Sequence, residues 1–414
     1  MLNVKEILAN AIEEGASDVH INVGMPPILR RNTELIDTDF GIVSNEDAKE
    51  MVLDMVGPNR FKKFEASRDL DFSTTIEDGH RFRVNAHYQC ETIAISFRVI
   101  PNQIPLIDNL HLPPIVKELT DLPRGLVLVT GHTGSGKSTT LAAMVGVINE
   151  KYRKRIITLE DPVEYALDNK MSMIEQREIG SDCPEFASGL KHALRQDPDV
   201  IMVGEMRDLE TTSSTVTAAE TGHLVFSTLH TINAPQTIER IIDIYPSGQQ
   251  SQIRTMLANT LQAVISQTLF RRVDEPGMVP CTEVLLCTSA VRNCIRENRI
   301  YEIPNIIETS RRLGMQNMDS SIANMYLEGF IDREEAVTRS TNPAKMDKLL
   351  VEEPKRKKEQ LRAATSKKES VSAGGSKSQK KTVFGRRAKQ GEMKSEEAVA
   401  MQQSEVVIGG ASKA

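Results

Sequence analysis

The sequence predicts an α/β protein with three parts: a doubly wound domain over residues 115–350, a smaller α+β domain over residues 1–98 before it, and a disordered basic tail over residues 351–414. Three observations carry that prediction. Between residues 115 and 350, short apolar runs alternate with helical patterns, as they do where strands of a parallel sheet are buried on both faces. Residues 1–98 instead alternate brief apolar runs with polar turns. Between the two, Pro101, Pro105, Pro113 and Pro114 punctuate a stretch ill suited to a helix or a central strand, so residues 99–114 read as a linker.

The elements follow in chain order. In Met1–Ala16, Val4, Ile7, Leu8, Ala11 and Ile12 fall at helical spacing, with Lys5, Glu6, Glu13 and Glu14 between them. That is an amphipathic surface helix rather than the apolar stretch of a signal peptide. Asp69–Thr74 and Phe82–His87 read as strands of the small domain. In the larger domain the candidate buried strands are Leu126–Thr130, Ile156–Leu159, Val200–Val203 and Leu224–Leu229. Helical patterns cover Thr139–Asn149 and Leu209–Thr221, the second stopped by Gly222. From Glu352 onward Lys, Ser, Gly and Gln dominate and Phe384 is the only aromatic residue, too little apolar surface to offset the entropy of ordering. Such a tail reads as a solvated extension, with a contact to acidic lipids or another partner as the alternative.

Composition narrows the function classes. With 39% hydrophobic residues the chain can build a core, and no stretch approaches the roughly 18 consecutive apolar residues of a membrane span, so a cytoplasmic protein is expected. The net charge of −6 is uneven: the tail carries 15 basic against 8 acidic residues, which leaves −13 for the body. An acidic body disfavours a motor that grips nucleic-acid phosphates, and no nucleic acid is expected as a partner. The five cysteines include no CxxC pair, so neither a disulfide framework nor a zinc site is expected; they read as buried small residues in a reducing compartment.

Against that background Gly131-His132-Thr133-Gly134-Ser135-Gly136-Lys137-Ser138, followed by Thr139, fits the pattern GxxxxGK[ST] at every position. It directly follows one candidate strand and opens a helix near Lys137, a context that a chance glycine-rich turn lacks. The glycines let backbone N–H groups wrap around phosphate oxygens, and the helix N-terminus adds partial positive charge at the same place. Lys137 then bridges the β- and γ-phosphates, and the Ser138 hydroxyl ligates magnesium. ATP and Mg²⁺ are therefore the expected cofactors.

Hydrolysis also needs a carboxylate to hold the metal and another to orient water. Val200–Val203 is an apolar strand followed by Gly204 and Glu205, and Gly204 stands where most P-loop enzymes carry Asp; the metal role therefore falls to Glu205. A second cluster, Glu160, Asp161 and Glu164, follows the strand after the P-loop helix, and carboxyl ends of parallel strands line the ligand crevice. Glu164 is the candidate base, with Glu160 and Asp161 as alternatives. His230, at the carboxyl end of Leu224–Leu229, is a candidate phosphate sensor; a structural histidine is the plainer alternative.

With these elements in this order, the chain resembles the secretion ATPase superfamily of type IV pilus and type II secretion motors over about residues 1–350. There the four elements are the Walker A motif, an Asp box, an atypical Walker B with glycine for Asp, and a His box. Ala16-Ser-Asp-Val-His20 is similar to the superfamily's N-terminal signature. His80-Arg81-Phe-Arg83-Val-Asn85 is similar to a segment whose arginines reach a neighbouring subunit's nucleotide. The resemblance implies a RecA-like ATPase domain, a PAS-like N-terminal domain, and a homo-hexamer in which Arg81 and Arg83, with Arg98 as a third candidate, enter in trans. Its partners would be an inner-membrane platform protein and the rest of a pilus machine, placing it peripherally at that membrane.

Within the superfamily, Ala290-Val-Arg292-Asn293-Cys294-Ile295-Arg296-Glu297 resembles the AIRNLIRE motif of pilus retraction ATPases, departing at Val291 and Cys294. The chain also starts at the first shared domain and lacks a CxxC zinc insert, unlike many assembly and secretion ATPases. The resemblance thus implies a retraction motor. The rivals are an assembly or secretion motor and a non-hydrolysing, nucleotide-gated regulator. A tail beyond residue 350 departs from the superfamily pattern.

Overall fold

The computed structural model describes residues 2–31, 34–77, 79–100 and 104–350. The tail over 351–414 that the composition marks as disordered, and residues 101–103 of the expected linker, lie outside the described residues. Among the described residues thirteen strands form two sheets. The first contains β1 (Asp18–Asn22), β2 (Ile28–Arg31), β3 (Glu34–Asp37), β4 (Asp69–Thr75), β5 (Arg81–Gln89) and β6 (Thr92–Ile100), in the order β3-β2-β1-β6-β5-β4. Every neighbouring pair in it is antiparallel. Phe64, Phe72, Phe82 and Phe97 fill its core, against which the N-terminal helix Val4–Glu13 lays Val4, Ile7, Leu8 and Ala11. These four fall at the helical spacing read from the sequence, which is why one stripe is buried while the charged residues between face water.

The second sheet is the doubly wound part. It contains β7 (Gly125–Thr130), β8 (Arg155–Glu160), β9 (Met173–Glu178), β10 (Val200–Val203), β11 (Leu224–Leu229), β12 (Leu261–Arg271) and β13 (Met278–Leu286), ordered β13-β12-β7-β11-β10-β8-β9. All neighbours are parallel except β12 and β13. Side chains alternate across the pleat. Leu126 and Leu128 of β7 join one core cluster, while Val127 and Val129 join another that holds Leu141, Met144 and Ile148 of the helix Lys137–Lys151. Both faces are covered, which explains why β7, β10 and β11 are mainly apolar, carry no charged residue and are buried along their whole length.

Two local expectations change. Pro114 does not end an irregular stretch; it opens the helix Pro114–Glu118, because a proline at the first helical position gives up only an N–H that would be unpaired anyway. Cys90 is exposed rather than buried. It sits with Glu91 in the two-residue turn between β5 and β6, both at positive φ (45° and 65°), so its side chain is carried to the hairpin tip. Among the described residues no helix is long and apolar enough to cross a membrane.

Candidate active site

Because β7, β8, β10 and β11 run parallel and adjacent, their carboxyl ends share one edge, and the loops leaving them meet there. They enclose a cleft of about 490 Å³, lined among others by Gly134, Lys137, Ser138, Glu164, Glu205 and His230.

One wall is the loop 131–136 and the start of the helix Lys137–Lys151. Gly131, Gly134 and Gly136 lie at φ of 144°, 78° and 84°, a region L side chains rarely adopt. At Gly131 a Cβ would also come within 2.3 Å of the Gln267 carbonyl oxygen and 2.5 Å of Ser135 Oγ. The Lys137 ammonium donates to the carbonyl oxygens of Gly131 (2.9 Å) and His132 (3.0 Å), folded back along the loop. Its burial holds the Lys137 pKa below the ordinary lysine value, against the opposing pull of Glu205 and Glu164. Restoring its full solvation would require an anion where phosphate oxygens belong. Thr139 Oγ1 lies 2.9 Å from the Tyr165 hydroxyl on the opposite wall, and His132 is fixed to the Thr133 carbonyl through Nδ1 at 2.7 Å.

Sequence reasoning missed what supports this wall. Gln267, buried on β12, donates through Nε2 to the Ser135 carbonyl (2.7 Å) and accepts from Thr140 Oγ1 (2.9 Å). It braces the underside of the loop. Along Leu261–Arg271 it sits in a polar run, Ser266-Gln267-Thr268, between apolar ones, a pattern that does not mark it as functional.

The opposite wall comes from four separate segments. Glu205 is held by its backbone neighbours: Gly204 N–H donates to the Leu159 carbonyl (2.8 Å), Thr228 Oγ1 to the Gly204 carbonyl (2.6 Å), and Met206 N–H to the Thr228 carbonyl (3.1 Å). Its carboxylate accepts from Arg207 Nε at 2.7 Å and lies 3.3 Å from His230 Nε2. Arg207 was not among the residues singled out from sequence. A Cβ on Gly204 would sit 3.1 Å from the Leu159 carbonyl oxygen and 3.4 Å from the Phe186 ring, so this strand end has little space for the usual Asp.

The three acids after β8 separate by environment. Glu160 is buried and accepts from Thr158 Oγ1 (2.6 Å) and Gln176 Nε2 (3.0 Å); burial raises its pKa, with those bonds opposing. Asp161 is exposed at the cleft, its pKa raised by desolvation and by Glu205, with Arg83 opposing. Glu164 is half-buried, lines the cleft and acts electrostatically on Lys137.

The arginines expected to enter in trans take the following positions within their own chain. Arg83 lines the cleft of its own chain. Arg81 also turns inward, its Nη2 donating to Glu178 at 3.0 Å and to Ser73 Oγ at 2.8 Å. Arg98 Nε donates to Asp18 at 2.9 Å, across the β1–β6 pair and away from the cleft lining. In the helix Ser289–Arg296, Val291, Cys294 and Ile295 are buried, while Arg292 ties the helix to the carbonyls of Ala258 and Asn259 and to Gln262 Oε1. Asn293, Arg296 and Glu297 are exposed.

For magnesium, the cleft offers the Ser138 hydroxyl and the Glu205 carboxylate. Among the described residues there is no group of three or more His, Cys, Asp and Glu side chains able to hold a metal. That donor set fits an ion held mostly by phosphate oxygens and water with one or two protein ligands, as Mg²⁺ favours.

A strand–loop–helix phosphate cradle at the carboxyl edge of a parallel sheet, faced by acids and a histidine, defines a P-loop ATPase. The family model described as type II/IV secretion system protein matches residues 111–339, and the chain belongs to that family. It is 40% identical to the type IV pilus retraction ATPase PilT of Pseudomonas aeruginosa over 83% of this chain and 99% of that protein. It is 43% identical to a twitching motility protein of Neisseria gonorrhoeae, over 77% of this chain and 86% of the other. Among solved structures it is similar to the pilus retraction motor PilT with bound ADP, at 42% identity and a TM-score of 0.78, covering 84% of this chain and all of that one.

Proposed function

We propose that this chain is an ATPase motor that hydrolyses Mg-ATP to drive type IV pilus retraction and hence twitching motility. The observation that carries the catalytic part is one cleft uniting the Lys137 cradle with Glu205, His230 and Glu164. Likeness to PilT and to a twitching motility protein over most of the chain supports the mechanical part.

In the mechanism, backbone N–H groups of the loop and Lys137 hold the β- and γ-phosphates. Ser138 and Glu205 would hold magnesium, which would supply positive charge against that developing on the phosphates. Glu164 orients the attacking water and accepts its proton; Asp161 and Glu160 are the alternatives, and the burial of Glu160, with Thr158 and Gln176 both on its Oε1, favours the more open Glu164 over it. His230 and Arg207, both on Glu205, respond to the γ-phosphate by exchanging partners between that carboxylate and the phosphate. Arg83 offsets charge on the transferring group from within the same chain.

Residues 1–98 and 115–350 act as two domains about the stretch 99–114. Subunits work as a homo-hexamer whose motion is passed to an inner-membrane platform protein of the pilus machine, leaving the motor cytoplasmic and peripheral to that membrane. The test is a count of surface pili in cells lacking the protein and in cells carrying Glu205→Gln. Excess pili with lost twitching in both is the expected result. Bald cells would mean an assembly motor instead.

A further inference from the structure

Glu178, at the end of β9, is a buried carboxylate outside the cleft lining that the catalytic scheme does not use. A buried carboxylate is stable only when charged or hydrogen-bonding groups replace its lost water. Here they come from two places. From the N-terminal sheet, Arg81 Nη2 donates at 3.0 Å, Ser73 Oγ at 2.6 Å and Ser73 N–H at 3.3 Å. From the P-loop sheet, the backbone N–H of Val163 donates at 3.3 Å and Ser181 Oγ at 3.3 Å. Val163 immediately precedes Glu164. The strand end is locked to the same region by register: Glu178 pairs with Glu160, and the Ile179 N–H donates to the Glu160 carbonyl at 2.8 Å.

We propose that Glu178 is a positioning residue for hydrolysis: with Arg81 and Ser73 it latches the N-terminal sheet onto the turn that carries Glu164, so that the water-orienting acid is set only when the two sheets are docked. The reason is one of shared satisfaction. If the N-terminal sheet moves away, the carboxylate loses its charged partner and the closest of its hydroxyl partners. It must then draw in water or shift toward its remaining donors, and one of those is the backbone of the Glu164 turn. Arg60 Nη1, which donates to Ser181 Oγ at 2.9 Å, adds a second tie across the same junction. On this view Arg81 acts through Glu178, while Arg83 is the arginine that faces phosphate. The proposal rests on the ATPase reading of the cleft.

The test measures ATP turnover and ADP affinity for the full chain, Glu178→Gln, Arg81→Ala and the double variant. Either single change is expected to lower kcat by about tenfold while ADP affinity stays within about twofold, and the double variant is expected to be no worse than either alone. Hydrogen exchange across residues 69–89 should quicken in both. The positioning role is overturned if Glu178→Gln turns over like the unaltered chain. It is also overturned if the two losses multiply, or if ADP affinity falls in step with kcat as general damage would make it. Should Glu178→Gln not fold, Ser73→Ala paired with Arg81→Ala makes the same comparison from two half-buried positions. An unaltered chain that binds ADP yet never hydrolyses ATP would overturn the ATPase reading and the positioning role together.

Discussion

The two walls of the cleft are built in opposite ways. Nine consecutive residues, 131–139, make the phosphate wall, with glycines at positive φ and a buried glutamine braced beneath. The facing wall gathers Glu164, Glu205, Arg207, His230 and Arg83 from three loops and a strand of the other sheet, with Glu205 paired to Arg207 and His230. A contiguous loop whose groups are held by its own backbone is pre-organised, so binding there is little affected by changes elsewhere. A wall of side chains held by one another can rearrange when a charge enters or leaves. Nucleotide binding is therefore hard-wired into one wall, while the competence to hydrolyse is a state of the other. That division suits a motor, which must hold its fuel through several conformations and use it in one.

The comparison is broken most directly by one substitution on each wall. Lys137→Ala removes the cation proposed to hold the phosphates and is expected to weaken ADP binding by about 100-fold, the loss of charge-assisted bonds worth roughly 3 kcal/mol. Glu205→Gln keeps the shape of the facing wall and removes its charge. It is expected to lower kcat by about 100-fold or more, with ADP affinity changed only a few-fold. Calorimetric titration with ADP alongside steady-state turnover separates the two. If Glu205→Gln abolished ADP binding as well, the walls would not be independent.

A smaller effect sharpens the account of the facing wall. Gly204 stands where an Asp is usual, yet a Cβ there meets the Leu159 carbonyl oxygen and the Phe186 ring. Gly204→Asp is thus expected to impair the protein rather than supply a missing metal ligand. A carboxylate forced against a carbonyl oxygen should lower stability by about 1–3 kcal/mol, seen as a reduced Tm, with no gain in kcat. Gly204→Ala, which adds only the Cβ, should lose less. A gain in turnover by the Asp variant would show that the strand end does admit a second metal ligand.

How much of this was legible in the sequence follows the same division. The phosphate wall could be read because its physics is local: a strand, a glycine pattern and a helix start, all within fifteen residues. The strands Val200–Val203 and Leu224–Leu229 were legible to the residue because burial on both faces leaves runs without charge, apolar throughout in the first and interrupted only by Ser227 and Thr228 in the second. What escaped notice depends on distance or on polarity. Gln267 reaches the loop from more than a hundred residues away, and nothing in its neighbours announces that. The strand Met173–Glu178 carries Glu178 but lies at the edge of the sheet and holds three charged residues, so it lacks the apolar signal of its neighbours. Residue type marks Arg81 and Arg83 only as candidates, while the direction each takes is set by the docking of two sheets. Sequence alone put Glu164 ahead of Glu160 and Asp161 but could not see that the three differ in burial.

That ranking yields the smallest effect expected. Glu160 is buried, and its burial raises its pKa above the ordinary 4.5 despite the bonds from Thr158 and Gln176. The folded chain therefore binds this proton more readily than the unfolded chain does. The favourable contribution is fully present below pH 4.5 and is lost as pH rises through the folded value; above it, the protein carries the penalty of a buried charge. Glu160→Gln removes the charge while keeping the shape, so it should raise Tm slightly near pH 8. The advantage should shrink steadily as the pH falls toward 4.5. Turnover should change little beside the loss caused by Glu164→Gln, since Glu160 is buried with its Oε1 engaged by Thr158 and Gln176, whereas Glu164 is more open to the cleft. Thermal melts of both proteins across that pH range, read beside kcat at neutral pH, decide the matter. If Glu160→Gln lost turnover as fully as Glu164→Gln, Glu160 would be the base and the facing wall would reach deeper into the sheet than its exposed acids suggest.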